Sequence, residues 1–268
     1  MKVLAFTNEK GGVAKTTTSI NIGAALAKAG KSTLLIDCDP QISLTNALRM
    51  ESTKAGLAEL LVGKREVKEA IYRWTPTNAW WSEKLRDLPL YIIAGSDNLG
   101  DTIESLGAQR APERYQNLKK IIKQVGEMGF FDYVILDSPP GRSTMAENVI
   151  TASDYLVIPV EPEYLTIYAT KRLLSWIFKV EKASKTQQNI LGFIVVKYDM
   201  RLGDHAKAIE FLKGQKTYKV YEPFIKNLSV FKNSNAEGIP AVLWRATHEG
   251  SMQYQKVAKE VMKDAERR

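Results

Sequence analysis

Short apolar runs alternate along this chain with longer stretches in which apolar residues recur every three or four positions. The runs Lys2–Thr7, Ser32–Asp37, Leu90–Ala94, Tyr133–Asp137, Tyr155–Pro159 and Ile190–Lys197 are apolar at nearly every position. Strands covered on both faces of a sheet have that pattern. Between them the spacing predicts helices over Lys15–Ala29, Glu113–Glu127, Thr144–Ala152, Leu165–Lys182, Asp204–Leu212 and Gly250–Arg267. Gly30 follows the first of these as a helix-ending glycine does. Regular alternation of strand and helix predicts an α/β fold: a doubly wound, mainly parallel β-sheet flanked by helices on both faces. Ligands of such sheets bind at the C-terminal ends of the strands.

The sequence shows no internal repeat and no low-complexity stretch, so residues 1–268 read as one domain. Residues 74–88 break the alternation and read as an irregular insertion containing Trp74, Trp80 and Trp81. Its tryptophans either cover the core beneath a long loop or mark a partner surface.

Composition narrows the classes. A 44% hydrophobic, 25% charged chain is an ordinary globular balance. One cysteine, Cys38, permits no internal disulfide and no four-cysteine zinc or cluster site within the chain. The apolar run at Val3–Phe6 is too short for a signal peptide, and no run approaches the roughly 20 residues of a membrane span. The expectation is a cytoplasmic protein. The net charge of +8 is uneven: residues 1–150 hold 19 Lys and Arg against 17 Asp and Glu, residues 151–268 hold 19 against 13. A basic C-terminal half suits either a solvated surface or a polyanion partner.

The chemistry concentrates in "NEKGGVAKTT", residues 8–17. The common phosphate-loop pattern G-x-x-x-x-G-K-[ST], aligned on Lys15, asks for glycine at positions 9 and 14, where this chain has Glu9 and Ala14. The physical context nevertheless fits. A strand ends at Thr7, Gly11 and Gly12 let backbone N–H groups curl around phosphate oxygens, and Lys15-Thr16-Thr17 opens a helix whose N-terminus favours anions. In that setting Lys15 reaches the β- and γ-phosphates and the Thr16 hydroxyl ligates Mg²⁺.

Lys10-Gly11-Gly12-Val13-Ala14-Lys15-Thr16 resembles the deviant Walker A motif, K-G-G-x-x-K-[ST], of the ParA/MinD family of P-loop ATPases. In that motif positions 9 and 14 are unconstrained. The resemblance implies that Lys10 is a signature lysine reaching across a nucleotide-sandwich homodimer to the partner's phosphates, where it stabilises the transferring phosphoryl group. It assigns nucleotide binding to Lys10, Gly11, Gly12, Val13, Ala14, Lys15, Thr16 and Thr17, with ATP and Mg²⁺ as cofactors.

Two further segments extend the likeness. "LLIDCDPQ", residues 34–41, resembles the family's D-x-D-P-Q switch I. That implies Asp39 as the residue activating the attacking water and Asp37 as a support for Mg²⁺ or for the loop. "VILDSPPG", residues 134–141, resembles switch II, which implies that Asp137 holds Mg²⁺ through water. Residues 152–174 resemble the strand, proline loop and helix that follow. The likeness covers about residues 2–245 and weakens after residue 180. Relatives carry a base-reading Asn near residue 196, where this chain has Val196; base contacts then fall to the loop "YEPFIKNLS", residues 221–229, at Pro223 and Phe224. Neither feature separates ATP from GTP.

Three branches share this loop. The iron–sulfur reductase branch needs two cluster cysteines per chain and is excluded. The membrane-binding branch needs an apolar C-terminal helix face; here Val257 and Val261 better suit docking onto the domain. The DNA-segregation branch gains from residues 197–232, which hold eight cations against four anions, with Lys197, Arg201, Lys226 and Lys232 as DNA-contacting candidates. That resemblance implies a partition ATPase with nonspecific double-stranded DNA and a centromere-binding ParB-like protein as partners, nucleoid-associated when ATP-bound. A start directly at the first strand implies no operator-binding extension. The rival expectation is an ATPase of the same family that positions a protein or membrane-associated cargo.

Overall fold

A computed structural model of the chain describes residues 1–50, 55–163 and 166–267. Eight strands among these residues form one sheet: β1 (Lys2–Phe6), β2 (Thr33–Asp37), β3 (Tyr72–Arg73), β4 (Leu90–Ile93), β5 (Tyr133–Asp137), β6 (Tyr155–Val160), β7 (Asn189–Val195) and β8 (Lys219–Tyr221). Their spatial order is β3-β4-β2-β5-β1-β6-β7-β8. Every pairing is parallel except β3 with β4.

All six expected strands are present within two residues of their expected ends. The two strands absent from the expectation, β3 and β8, are the edges of the sheet. They are two and three residues long, too short to display a period.

Alternation along the inner strands splits the core in two. On one face Val3, Ala5, Leu34, Ile36, Val134 and Leu136 meet the helices Asn117–Glu127, Thr144–Ala152 and Thr166–Ser184. On the other, Leu4, Phe6, Leu35 and Ile135 meet the helices Lys15–Lys28 and Glu249–Arg267. Burying a side chain of this size stabilises by about 1.5–3 kcal/mol. Both faces are therefore covered, as the continuous apolar runs require.

The expected helix from Leu165 begins, within the described residues, at Thr166; Leu165 itself lies outside them. The segment expected over Glu113–Glu127 is a 3₁₀ turn, Glu113–Tyr115, followed by the helix Asn117–Glu127. Val257 and Val261 are fully buried against the helix Lys15–Lys28 and its core, so the last helix docks on the sheet. No helix among the described residues is long and apolar enough to cross a membrane.

Residues 74–88 are more ordered than the expectation of an irregular insertion. Trp74 is buried and donates from Nε1 to the Leu48 carbonyl (3.3 Å). The helix Ala79–Lys84 follows, capped by Asn78, whose side chain accepts from the N–H groups of Trp80 and Trp81. Trp81 packs against the core, whereas Trp80 is exposed with Lys84 over its ring. Trp74 and Trp81 thus cover the core, and Trp80 stands exposed.

Candidate functional site

Three adjacent strands end together in register. Phe6 of β1 pairs with Asp137 of β5, and Asp137 pairs with Asp37 of β2. The loop after β1 therefore lies over two strand-end carboxylates. This is the place where the chain reverses direction across a doubly wound sheet.

The loop is built by its own polar contacts. Asn8 donates from Nδ2 to the Pro159 carbonyl (2.8 Å) and accepts from the Lys10 N–H (3.0 Å). Gly12 has φ +74° and Ala14 has φ +54°, both left-handed. Gly12 is freely tolerated there; Ala14 carries a Cβ at some cost. Ala14 is the N-cap of the helix Lys15–Lys28 and provides no side-chain cap. The first-turn N–H groups of that helix are consequently directed into the loop rather than capped by a side chain.

Lys15 is buried, and its Nζ donates to the Lys10 carbonyl across the loop (3.1 Å). Burial pulls its pKa below the ordinary lysine value, opposed by the carboxylates of Asp137 and Asp39. Asp137 accepts from the Ser19 hydroxyl at Oδ1 (2.8 Å), while Oδ2 is buried with no hydrogen-bond partner. Burial, then the charge of Asp37, raises Asp137 to about 7, although Thr16, Ser19 and Lys15 favour its ionised form. An unpaired carboxylate oxygen beside a threonine hydroxyl is a fitting donor set for Mg²⁺ carried on a polyphosphate, which needs few protein ligands, and the neighbouring lysine suits the phosphates.

Asp37 is occupied differently. Its Oδ2 accepts from the Thr45 N–H (2.9 Å) and hydroxyl (2.7 Å), and its Oδ1 accepts from the Asp39 N–H (3.2 Å). Of the two roles expected for it, this geometry supplies the loop-supporting one. Burial raises Asp37 to about 6 despite these bonds. Asp39 is itself pinned by accepting from the Gln41 N–H (2.9 Å), with Ile42 left-handed just beyond. Cys38 is fully buried between them, its thiol pushed well above the ordinary value by burial.

Lys10 leaves the loop in another direction. Its Nζ pairs with Glu163 (2.6 Å) and lies 3.9 Å from Glu161, both after β6. Lys197 shares Glu161 (3.3 Å). Glu9, at a position the motif leaves open, accepts from Arg142 Nε (2.6 Å) and approaches Arg172. Nothing in the motif points to these partners, because each lies more than 100 residues away in sequence.

The basic candidates lie around the neighbouring loops. Tyr198 and Lys226 form a parallel bridge, which sets the turn after β7 beside residues 221–229. Phe224 is half-buried, stacked edge-on to Tyr198 and covered by Lys213; Val196 is buried in the core. Arg201 is exposed but forked onto Asp199 (2.6 and 2.9 Å), which holds that carboxyl well below the usual range. Lys226 pairs with Glu249 (2.5 Å). Lys232 is exposed on the helix Ser229–Glu237 and makes no ion pair among the described residues. The structure thus brings Lys15, Thr16, Asp37, Asp39 and Asp137 to one cradle, turns the Lys10 side chain away to Glu163, and leaves the other basic candidates dispersed beside it.

Comparison with known proteins agrees with this architecture. A family described as an AAA domain matches residues 1–190. The chain is 32% identical to the sporulation initiation inhibitor protein Soj of Bacillus subtilis over 264 residues, covering 97% of this chain and 98% of Soj. It is also 32% identical to the chromosome-partitioning ATPase Soj of Treponema pallidum, covering 97% of each. Among solved structures, an ATP complex of a substituted McdA from Cyanothece superposes with a TM-score of 0.83 at 27% identity, covering 98% of this chain and 96% of McdA.

Proposed function

This chain belongs to the Soj/ParA family of P-loop ATPases, and on that premise we propose that it is an ATP-driven DNA-partitioning ATPase. The observation that carries the reading is the strand-end cradle: uncapped helix N-terminus, buried Lys15, and Asp137 with a buried unpaired oxygen. Residues 1–268 act as one ATPase domain, and the family's ATP-bound McdA supports ATP as the nucleotide.

The residues divide the work. Backbone N–H groups from Gly11, Gly12, Val13 and Ala14 to Thr17, with the Lys15 ammonium, bind and orient the triphosphate. Pro223 and Phe224 lie against the base. Thr16 and Asp137 would hold Mg²⁺, with Asp37 bracing switch I beside them. When bound, the ion neutralises charge on the β- and γ-phosphates. Asp39 orients the attacking water and accepts its proton at the carboxylate. Lys10 extends to the phosphates of a second copy, so two chains enclose two nucleotides.

Dimerisation aligns the basic loops of both copies, with Lys197, Arg201, Lys226 and Lys232 contacting phosphates of nonspecific double-stranded DNA, and the doubled valency raises affinity. Hydrolysis loosens the dimer and releases the DNA. A centromere-binding ParB-like protein stimulates that step, and the ATP-bound dimer resides on the nucleoid.

Retention on nonspecific DNA tests the reading. The wild-type chain is retained with Mg-ATP and not without it. Asp39→Ala is retained persistently, with hydrolysis lowered by about 10²-fold or more. Retention independent of nucleotide, or absent with it, sinks DNA partitioning and favours the rival, an ATPase of the same cycle that positions a protein or membrane-associated cargo.

A further inference from the structure

We infer that Glu9 and Arg142 are positioning residues for ATP hydrolysis: together they clamp switch II to the phosphate loop. The inference rests on the ATPase reading and adds two residues to it.

Two successive contacts join the segments. The Glu9 carbonyl accepts from the Gly141 N–H (2.9 Å), and the Glu9 carboxylate accepts from Arg142 Nε (2.6 Å). Gly141 has φ +76°, so the chain turns there to present residues 141 and 142 to the same neighbour. Only 14% of the Glu9 side chain is exposed, against 42% of Arg142. Arg172 lies 3.9 Å from the other Glu9 oxygen. The Arg142 guanidinium lies 5.9 Å from the ring of Trp176, one helical turn beyond Arg172 on the helix Thr166–Ser184.

The charge at position 9 gives the contact its importance. A largely buried carboxylate in a loop built to receive a polyphosphate repels the ligand and is costly to desolvate without a partner. Arg142 neutralises it and, through the chain, fixes residues 138–141, which follow directly on Asp137. Switch II is thereby held at a set distance from the phosphate loop by residues that touch no phosphate themselves. A small displacement of such a segment costs rate far more than affinity.

The clamp is tested on the full-length chain by two measurements. Hydrogen exchange at the amides of Ser138, Gly141, Arg142 and Ser143 is slow in the wild type, and accelerates at least tenfold in Glu9→Gln and in Arg142→Met. In steady-state hydrolysis both variants lose about tenfold or more in kcat with KM for ATP within twofold. The double variant is no worse than either single one, and Arg142→Lys recovers part of the rate. Unchanged exchange overturns the clamp whether or not the chain hydrolyses ATP. Additive losses, or a raised KM with unchanged kcat, overturn the positioning role. A wild-type chain without ATPase activity refutes the reading on which the inference rests, while the exchange result still decides whether the clamp exists.

Discussion

Lys10 Nζ sits 2.6 Å from Glu163 Oε2 within the same chain. The lysine proposed to serve a second copy therefore starts paired with its own. Both side chains are nearly half exposed, so the pair is worth at most about 1 kcal/mol. Two such pairs break for each dimer formed, so Glu163→Gln is expected to shift the Mg-ATP-dependent equilibrium toward dimer by up to about 25-fold. Light scattering with a non-hydrolysable analogue measures it, and a weaker dimer counts against the trans role. Lys10→Ala keeps nucleotide and loses the dimer.

Asp137 links function to stability. Its folded pKa is raised to about 7 by burial and by Asp37, itself raised to about 6. The folded state therefore holds more protons than the unfolded one between about pH 4 and pH 7. Its stability falls as pH rises through that window, and the deficit is complete above it. Without nucleotide or metal, Asp137→Asn is expected to be more stable than the wild type at pH 8 by roughly 1–3 kcal/mol, the gain fading toward pH 4. Denaturant titration across pH reads this directly. The same variant loses Mg²⁺-dependent ATP binding.

Arg201 reaches the surface already held by Asp199. Arg201→Glu is expected to weaken DNA retention with ATP affinity unchanged, and Asp199→Asn to strengthen retention by releasing the guanidinium. Filter binding at fixed low salt checks both. Equal retention in Arg201→Glu moves the DNA surface elsewhere.

Gly192 lies on β7, where a Cβ would stand 2.2 Å from the Lys219 carbonyl oxygen of β8. That neighbour is backbone and cannot swing aside. Gly192→Ala is expected to destabilise by about 3 kcal/mol or more, seen as a lowered denaturation midpoint. At Gly23 the clash is with Leu35 Cδ2 at 2.4 Å, the end of a side chain, and the cost of Gly23→Ala is smaller, about 1–3 kcal/mol.

The contrast between inner and edge strands explains what the sequence discloses. β1, β2, β5 and β6 are buried on both faces and so announce themselves as apolar runs. β3 and β8 exist because a neighbouring strand offers them hydrogen bonds, a relation with no local signature. The cradle was legible for a related reason: Lys15, Asp39 and Asp137 lie in short motifs at strand ends. The motif leaves position 9 unconstrained because it records only what a family shares, while the partner of Glu9, Arg142, is 133 residues away. The insertion misled for a similar cause. Asn78 caps a helix too short for periodicity to reveal.

Three of the four basic residues beside the cradle already carry a carboxylate of their own chain: Arg201 with Asp199, Lys197 with Glu161 and Lys226 with Glu249. Such pairs bring little net charge to a polyanion unless the carboxylate withdraws. Fewer counterions are then expelled from DNA than the number of lysines and arginines suggests. Four independent phosphate contacts would give a slope of about −3.6 in log affinity against log salt for each protomer. For the proposed DNA contacts, internal pairing makes that slope shallower and binding less sensitive to ionic strength than a +8 charge implies.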